Sequence, residues 1–359
     1  MKLTIESNIR DYDVIFTDSF HFIQKFNNIR NSVLIIDKNV YNLYPNEFKD
    51  INKDNLFLFD AIENNKTFDY VKEIYDFLIS KSVKRNLTII SIGGGITQDI
   101  TGFVASTLYR GVNWIFVPTT FLAMTDSCIG SKTSINYEKY KNLMGTFYPP
   151  QKIYINPSFL NTLEKLDFFS GIGETIKFQL MKEEYPKDFN KVLETINKAI
   201  QNTTDRLEII YDNMKVKLNY MAGDEFDLGR RNLLNYGHCF GHALETSSDY
   251  YVPHGIAVNI GIIFANIISS QRGLVNKDDV DFITDNIMLP NIPLKLREVD
   301  FNKDVLLESM KNDKKRVGEY LTVIIPDENF KMIKVDDVTD DEFVNILTIV
   351  KNICLGEKI

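Results

Sequence analysis

The runs Val33-Leu34-Ile35-Ile36, Leu56-Phe57-Leu58-Phe59, Leu87-Thr88-Ile89-Ile90 and Trp114-Ile115-Phe116-Val117 are short, apolar and rich in β-branched or aromatic residues. Helix-length stretches such as Asp69 to Ser82 and Gln98 to Leu108 lie between them. Continuous apolar strands alternating with helices predict a parallel sheet covered on both faces. Beyond about Ser158 the pattern turns helical, in Lys177 to Lys182, Phe189 to Gln201, Asp205 to Tyr220 and Asp278 to Asn286. Few strand candidates occur there before Leu321-Thr322-Val323-Ile324-Ile325. The expected architecture is an α/β domain over 1–160 followed by an all-α one over 161–359, with a cleft between them. The longest apolar run, Ile256 to Ile268, is interrupted by Asn259 and Asn266. It falls short of the about 20 residues a membrane span needs and reads as a buried helix.

Bulk properties narrow the functional classes. A chain of 359 residues favours two domains, and 44% hydrophobic with 25% charged residues is a globular composition. The formal net charge of -8 argues against a nucleic-acid partner, though local cations can still hold an anionic substrate. Cys128, Cys239 and Cys354 make neither a CxxC pair nor a disulfide framework, as expected in a reducing cytoplasm. Residues 1–16 lack the basic-then-apolar pattern of a signal peptide, and neither a membrane nor a nucleic-acid partner is expected.

Candidate chemistry gathers at two places. Of the four histidines, three are close together, in Gly237-His238-Cys239-Phe240-Gly241-His242 and Val252-Pro253-His254-Gly255. His238 and His242 share a helix face, one turn apart, a spacing that suits a common metal ion or phosphate, and His254 can fold back as a further ligand. A buried structural role for these rings is the plain alternative. The second place is Gly93-Gly94-Gly95, between a strand and a helix, where the backbone can approach a pyrophosphate and helix N–H groups are free. It is not the spaced GxGxxG pattern, and a tight turn would use the same glycines. Asp37, ending the first strong strand, can bind a ribose hydroxyl or cap a helix.

Further motifs point to a known family. Gly93-Gly94-Gly95 with Asp99, Tyr109-Arg110-Gly111, Val117-Pro118-Thr119-Thr120, Asp126-Ser127 and Gly130-Ser131-Lys132-Thr133 with Asn136 resemble 3-dehydroquinate synthase. So do Lys141-Asn142, Glu174-Thr175-Ile176-Lys177, Arg231 to His242, His254-Gly255 and Asp313-Lys314-Lys315. These segments follow the family order across nearly the whole chain, a combination specific to the sugar-phosphate cyclase superfamily.

The resemblance implies a Rossmann-like NAD domain, a helical metal-binding domain and a homodimer. It implies that Glu174, His238 and His254 hold zinc or cobalt, leaving His242 to face a substrate phosphate. That departs from the simplest reading of the helical pair, in which both its histidines are ligands. By the same resemblance Asp37, Glu63, Lys66, Gly94, Gly95, Asp99, Thr119, Thr120, Lys132, Lys141, Phe159 and Thr162 belong to the NAD site. Arg110, Lys132, Asn142, His242 and Lys314 would surround the phosphate, Lys217 and Arg231 a carboxylate, and Asp126, Lys177 and Asn235 the hydroxyls of the carbon skeleton. The implied reaction converts 3-deoxy-arabino-heptulosonate 7-phosphate to 3-dehydroquinate and phosphate, a carbon–oxygen lyase reaction of the shikimate pathway.

Several positions leave the usual family pattern. Ser131 stands where a glycine is usual, Gly173 where alanine is usual, Phe178-Gln179 in place of Tyr-Gly, and Ile256 in place of glutamate. Thr146-Phe147-Tyr148-Pro149-Pro150 is as similar to valiolone-type cyclases. The rival readings are therefore a cyclase for another ketose or aldose phosphate, a metal-dependent alcohol or glycerol-phosphate dehydrogenase that would release NADH, and a non-catalytic binding protein. Retained Lys217, Arg231 and Asn235 favour a carboxylate-bearing substrate, and an intact set of proposed metal ligands disfavours the last.

Overall fold

A computed structural model describes the chain except residues 139, 185–186, 202–203, 313–319 and 357–359. It divides into two units, Met1–Leu163 and Glu164–Ile359.

The first unit is built on a seven-stranded sheet. Its strands are β1 (Lys2–Ile5), β2 (Tyr12–Phe16), β3 (Ser32–Asp37), β4 (Leu56–Phe59), β5 (Thr88–Gly93), β6 (Asn113–Pro118) and β9 (Lys152–Ile155), in the order β1-β2-β9-β6-β5-β3-β4. All neighbours are parallel except β1 with β2, so the parallel sheet expected from the apolar runs carries one antiparallel edge. Central β5 is buried along its whole length and pairs with β6 from Thr88↔Asn113 to Gly93↔Pro118. This pairing explains its apolar run: a strand covered on both faces has no solvent side to alternate toward. Short helices α1 (His21–Lys25), α2 (Lys38–Leu43) and α3 (Pro45–Phe48) precede the two that matter most, α4 (Phe68–Ser80) and α5 (Gly95–Thr107). A separate hairpin, β7 (Lys132–Tyr137) and β8 (Tyr140–Phe147), packs on α5. Its mixed polar sequence gives little strand signal.

The second unit is helical: α6 (Lys165–Leu180), α7 (Phe189–Gln201), α8 (Arg206–Met221), α9 (His238–Ser247), α10 (His254–Gln271), α11 (Lys277–Phe282), α12 (Lys303–Lys311) and α13 (Asp340–Leu355). One two-stranded ribbon, β10 (Leu321–Pro326) with β11 (Met332–Val338), completes the strands among its described residues. The apolar run forms α10, buried from Gly255 to Ser269, and α6, α9, α13 and β10 pack around it. A helix apolar on every face is stable only when enclosed in this way. Its two asparagines lie inside the core, where Asn266 Oδ1 accepts from the Tyr236 hydroxyl at 2.5 Å. Among the described residues no helix is long and apolar enough to cross a membrane.

The helical segment that includes Lys177 begins at Lys165 and carries Gly171, Gly173 and Glu174. A Cβ on Gly173 would lie 2.6 Å from the carbonyl carbon of Gly255. The glycine is what lets α10 cross α6 backbone to backbone, and burial outweighs its poor helix propensity.

Candidate active site

In the second unit, α6, α9 and α10 bring one carboxylate and two imidazoles together. Glu174 lies in mid-α6 and is fully buried, while His238 and His254 are the first residues of α9 and α10. Glu174 Oε1 is 3.3 Å from His254 Nε2 and 3.5 Å from His238 Nε2. Four-coordinate zinc with bonds of about 2.0–2.1 Å places neighbouring ligands about 3.3–3.4 Å apart. The ring tautomers agree with ligation through Nε2. His238 Nδ1 donates to the Tyr236 carbonyl at 3.2 Å, and His254 Nδ1 donates to Glu245 Oε2 at 2.9 Å. Each ring thus has its Nδ1 proton fixed by a second partner, the arrangement that orients metal-binding histidines.

The carboxylate fits the same reading. Glu174 Oε1 is buried, and the two Nε2 atoms converge on it at 3.3–3.5 Å, the spacing of ligands around one ion. Its other oxygen pairs with the buried Lys177 ammonium, which also lies 4.5 Å from the centre of the Phe178 ring. At His254, burial opposes the charged ring, but the carboxylates of Glu245 and Glu174 outweigh it and push the pKa up to about 10. In metal-free protein His254 is therefore an imidazolium, and an ion at Nε2 must displace its proton.

His242 has a different setting. It is exposed, and its ring centre is 5.4 Å from that of His238 and 5.4 Å from that of His254. The three rings can hold an ion among themselves, yet only His238 and His254 reach the buried carboxylate. Lys217 and Arg231 are buried cations of this unit. Arg231 Nη1 donates to the Glu225 carbonyl, and Asn235 Nδ2 donates to the Asn232 carbonyl at 2.7 Å. Lys314 lies outside the described residues.

In the first unit, Gly94 caps α5 at the end of β5, and a Cβ there would meet Thr120 Cγ2 at 2.8 Å. Thr119 is buried, its N–H donating to the Gly93 carbonyl at 2.9 Å, and Thr120 Oγ1 accepts from the Ala123 N–H. Gly94, Gly95, Thr119 and Thr120 thus share one end of the sheet, with Asp126 in the turn Ala123–Ser127 that follows. A second group forms beside α5. Buried Lys66 pairs with Asp99 and donates to Asn142 Oδ1 at 2.5 Å, while Ser134 Oγ lies 3.1 Å from Asp99 Oδ2 and 2.8 Å from Asn142 Oδ1. Glu63 accepts from Asn136 at 2.9 Å and faces Lys141 at 3.7 Å. Burial pushes the Asp99 carboxyl up, against the opposing pull of Lys66.

Other candidates are placed apart or otherwise engaged. Asp37 caps α2 by accepting from the Asn39 N–H at 2.8 Å, and burial raises its pKa. The Phe159 ring is buried against Phe20 and Tyr44, and Thr162 Oγ1 is 2.8 Å from the Tyr44 hydroxyl. Arg110 has φ +62° and follows the C-terminal end of α5, about 20 Å of helix away from the glycine turn at its start. Lys132 is exposed at the start of β7. Next to it, Ser131 has φ +64° and a buried hydroxyl with no hydrogen-bond partner.

Sequence reasoning missed Glu245, Asp224 and Ser170. Glu245 lies on α9, and its partner His254 opens the next helix, α10. Asp224 Oδ1 accepts from the Leu228 N–H at 2.7 Å, and its Oδ2 from Gly229 at 2.8 Å and Arg231 at 2.9 Å. Desolvation raises the Asp224 carboxyl, but the three N–H donors outweigh it and hold the group below its ordinary value. Ser170 Oγ accepts from the Gly255 N–H at 2.9 Å and ties α10 to α6. No local pattern marks either residue.

The chain is similar to known proteins over most of its length. The model of the 3-dehydroquinate synthase N-terminal region matches residues 56–170, and that of the C-terminal region matches residues 171–316. A 3-dehydroquinate synthase of Prochlorococcus marinus is 34% identical over 326 residues, 89% of this chain and 89% of that protein. One from Streptococcus pyogenes serotype M3 is 32% identical over 360 residues, 96% of this chain and 98% of that protein. The solved 2-epi-5-epi-valiolone synthase of Streptomyces hygroscopicus, with NAD+ and Zn2+ bound, superposes with a TM-score of 0.84 at 24% identity, over 97% of this chain and 98% of that one. The parallel-sheet unit, the helical unit and these likenesses place the chain among the sugar-phosphate cyclases. Within that class it belongs to the 3-dehydroquinate synthase family.

Proposed function

We propose that this protein is a phosphate-eliminating cyclase that converts 3-deoxy-arabino-heptulosonate 7-phosphate to 3-dehydroquinate and phosphate, using NAD and zinc or cobalt. The observation that carries the reading is the buried Glu174 oxygen within 3.3–3.5 Å of two imidazole Nε2 atoms, in a chain of this family. Glu174, His238 and His254 would hold the ion, and Gly94, Gly95, Asp99, Thr119 and Thr120 would line the NAD site. When bound, NAD supplies a reversible hydride acceptor and the ion a Lewis acid for the alcohol being oxidised.

The remaining work falls to side chains. Arg231 offers a planar fork to the substrate carboxylate, with Lys217 as a second buried charge. Lys132, Asn142 and His242 supply cations and donors for a leaving phosphate, with Arg110 and Lys314 as further candidates. Oxidation of the neighbouring alcohol acidifies one C–H; its proton leaves as the phosphate departs, and the departing phosphate itself can accept it. Lys177, paired with Glu174, and Asn235 and Asp126 would orient hydroxyls through the return of hydride, ring opening and aldol closure.

A second reading, a cyclase for another ketose or aldose phosphate, rests on Ser131, Gly173, Phe178-Gln179 and Ile256, where the usual residues are absent. The test is phosphate release from 3-deoxy-arabino-heptulosonate 7-phosphate with NAD and zinc or cobalt, monitored together with NADH absorbance. Dehydroquinate and phosphate without net NADH are expected, and His254→Ala should abolish turnover while leaving NAD binding measurable. No phosphate release from protein shown to bind NAD and metal would discard this substrate in favour of the second reading; net NADH would indicate a dehydrogenase.

A further inference from the structure

Arg231 is a buried cation in the short 3-10 turn Arg230–Asn235, which follows the loop 222–229 rather than continuing a long helix. Such a loop would not fix a side chain unless something held its backbone. Asp224 does so: one carboxylate collects the N–H groups of Leu228, Gly229 and Arg231 itself, at 2.7–2.9 Å. Hydrogen bonds to an ionised acceptor are roughly twice as strong as neutral ones, so three at one carboxylate make a firm anchor. The Arg231 side chain is gripped from the same loop, Nη1 donating to the Glu225 carbonyl.

The loop is also tied to its neighbours. Arg230 donates to Glu183, just beyond α6, at 2.8 Å and to the Asn219 carbonyl on α8 at 3.3 Å. Asn219 is two residues beyond Lys217. The strap through Arg230 joins half-exposed groups and adds little by itself. The Asp224 anchor is what gives the loop one shape, with Gly223 at φ +74° turning the chain into it.

We propose that Asp224 is a positioning residue for substrate recognition, holding the loop so that Arg231 meets the carboxylate of the sugar phosphate. The proposal rests on the reading of Arg231 given above. Asp224 touches neither substrate nor cofactor in it.

The test compares Asp224→Asn and Asp224→Ala with the parent, each loaded with zinc and NAD. Asp224→Asn keeps one carbonyl acceptor and guards against a variant that simply fails to fold. We expect KM for the keto-acid phosphate to rise at least tenfold, kcat to stay within threefold, and affinities for NAD and inorganic phosphate to stay within twofold. Amide hydrogen exchange at 228–231 should quicken at least tenfold in the same proteins. An unchanged KM, or a fall in kcat without a change in KM, overturns the proposal. Unchanged exchange overturns it too, whether or not the parent turns over this substrate. A parent that releases no phosphate refutes the functional reading separately.

Discussion

Replacing Gly173 by alanine should weaken metal binding more than it weakens the fold. The new Cβ would stand 2.6 Å from the Gly255 carbonyl carbon and 3.2 Å from its Cα. Carbon atoms in contact prefer about 3.5 Å or more, and the Gly255 carbonyl oxygen stands closer still, so α10 must retreat from α6 by at least roughly 0.9 Å at this point. Gly173 and Gly255 directly adjoin Glu174 and His254, so the retreat opens the 3.3 Å gap between two proposed ligands. It also stretches the Ser170–Gly255 bond. Ligand sets tolerate about 0.5 Å of misplacement, and a disturbed supporting shell typically costs about 10–100-fold in metal affinity. Overpacking costs about 1–3 kcal/mol, offset by about 0.5–1 kcal/mol from alanine's better helix propensity. The net loss of stability is then at most about 2.5 kcal/mol, or below about 10 °C in Tm. Zinc affinity would be read by competition with a chromogenic chelator, and stability by thermal unfolding of metal-free protein. A variant that binds zinc within twofold of the parent would refute the argument that the glycine crossing sets the ligand spacing.

Four further outcomes follow. Because the metal-free His254 pKa is about 10, zinc affinity should rise about tenfold per pH unit between about pH 7 and 9, with one proton released per ion; pH-independent affinity and no release in an indicator assay would contradict this. In metal-free protein the same raised pKa gives stability that is full below about pH 6.5 and is lost as pH climbs toward 10, so alkaline Tm should fall more steeply in the parent than in His254→Ala. Glu245→Ala removes the partner of His254 Nδ1 and should reduce metal affinity about 10–100-fold, measured by the same competition; an unchanged affinity would remove Glu245 from the supporting shell. Ser131→Gly relieves a left-handed serine and a buried unpartnered hydroxyl, and should raise stability by about 1–2 kcal/mol; a lower Tm would show that the hydroxyl has a stabilising role.

The elements with uninterrupted patterns were the legible ones. The runs at 33–36, 56–59 and 114–117 became β3, β4 and β6, Phe189 to Gln201 became α7, and the apolar run became α10. Strands β1, β2 and β9, at one side of the sheet, are short and flanked by charge, and their pairing is set by the sheet rather than by local pattern. Gly173 of α6 carries no periodic signal of its role, which is helix-to-helix contact. Site residues were legible as types and spacings. Their supporting partners were not: Asp224, Ser170 and Glu245 act through the three-dimensional meeting of a carboxylate or hydroxyl with an N–H, which no periodicity encodes. The Lys66–Asp99–Asn142 group likewise joins segments 33 and 76 positions apart.

The ion pair between Lys177 and Glu174 has a bearing on how the protein acquires its metal. A buried carboxylate with no positive neighbour would strain any fold made before the ion arrived. Here the ammonium one helical turn away already supplies the opposite charge, so the second unit can mature empty and receive its ion afterwards. Loading then becomes a late step, separate from folding, and the ion carried at any moment reflects which one the surroundings offer. Zinc and cobalt forms of a single folded chain should therefore be exchangeable by dialysis, without passage through denaturant.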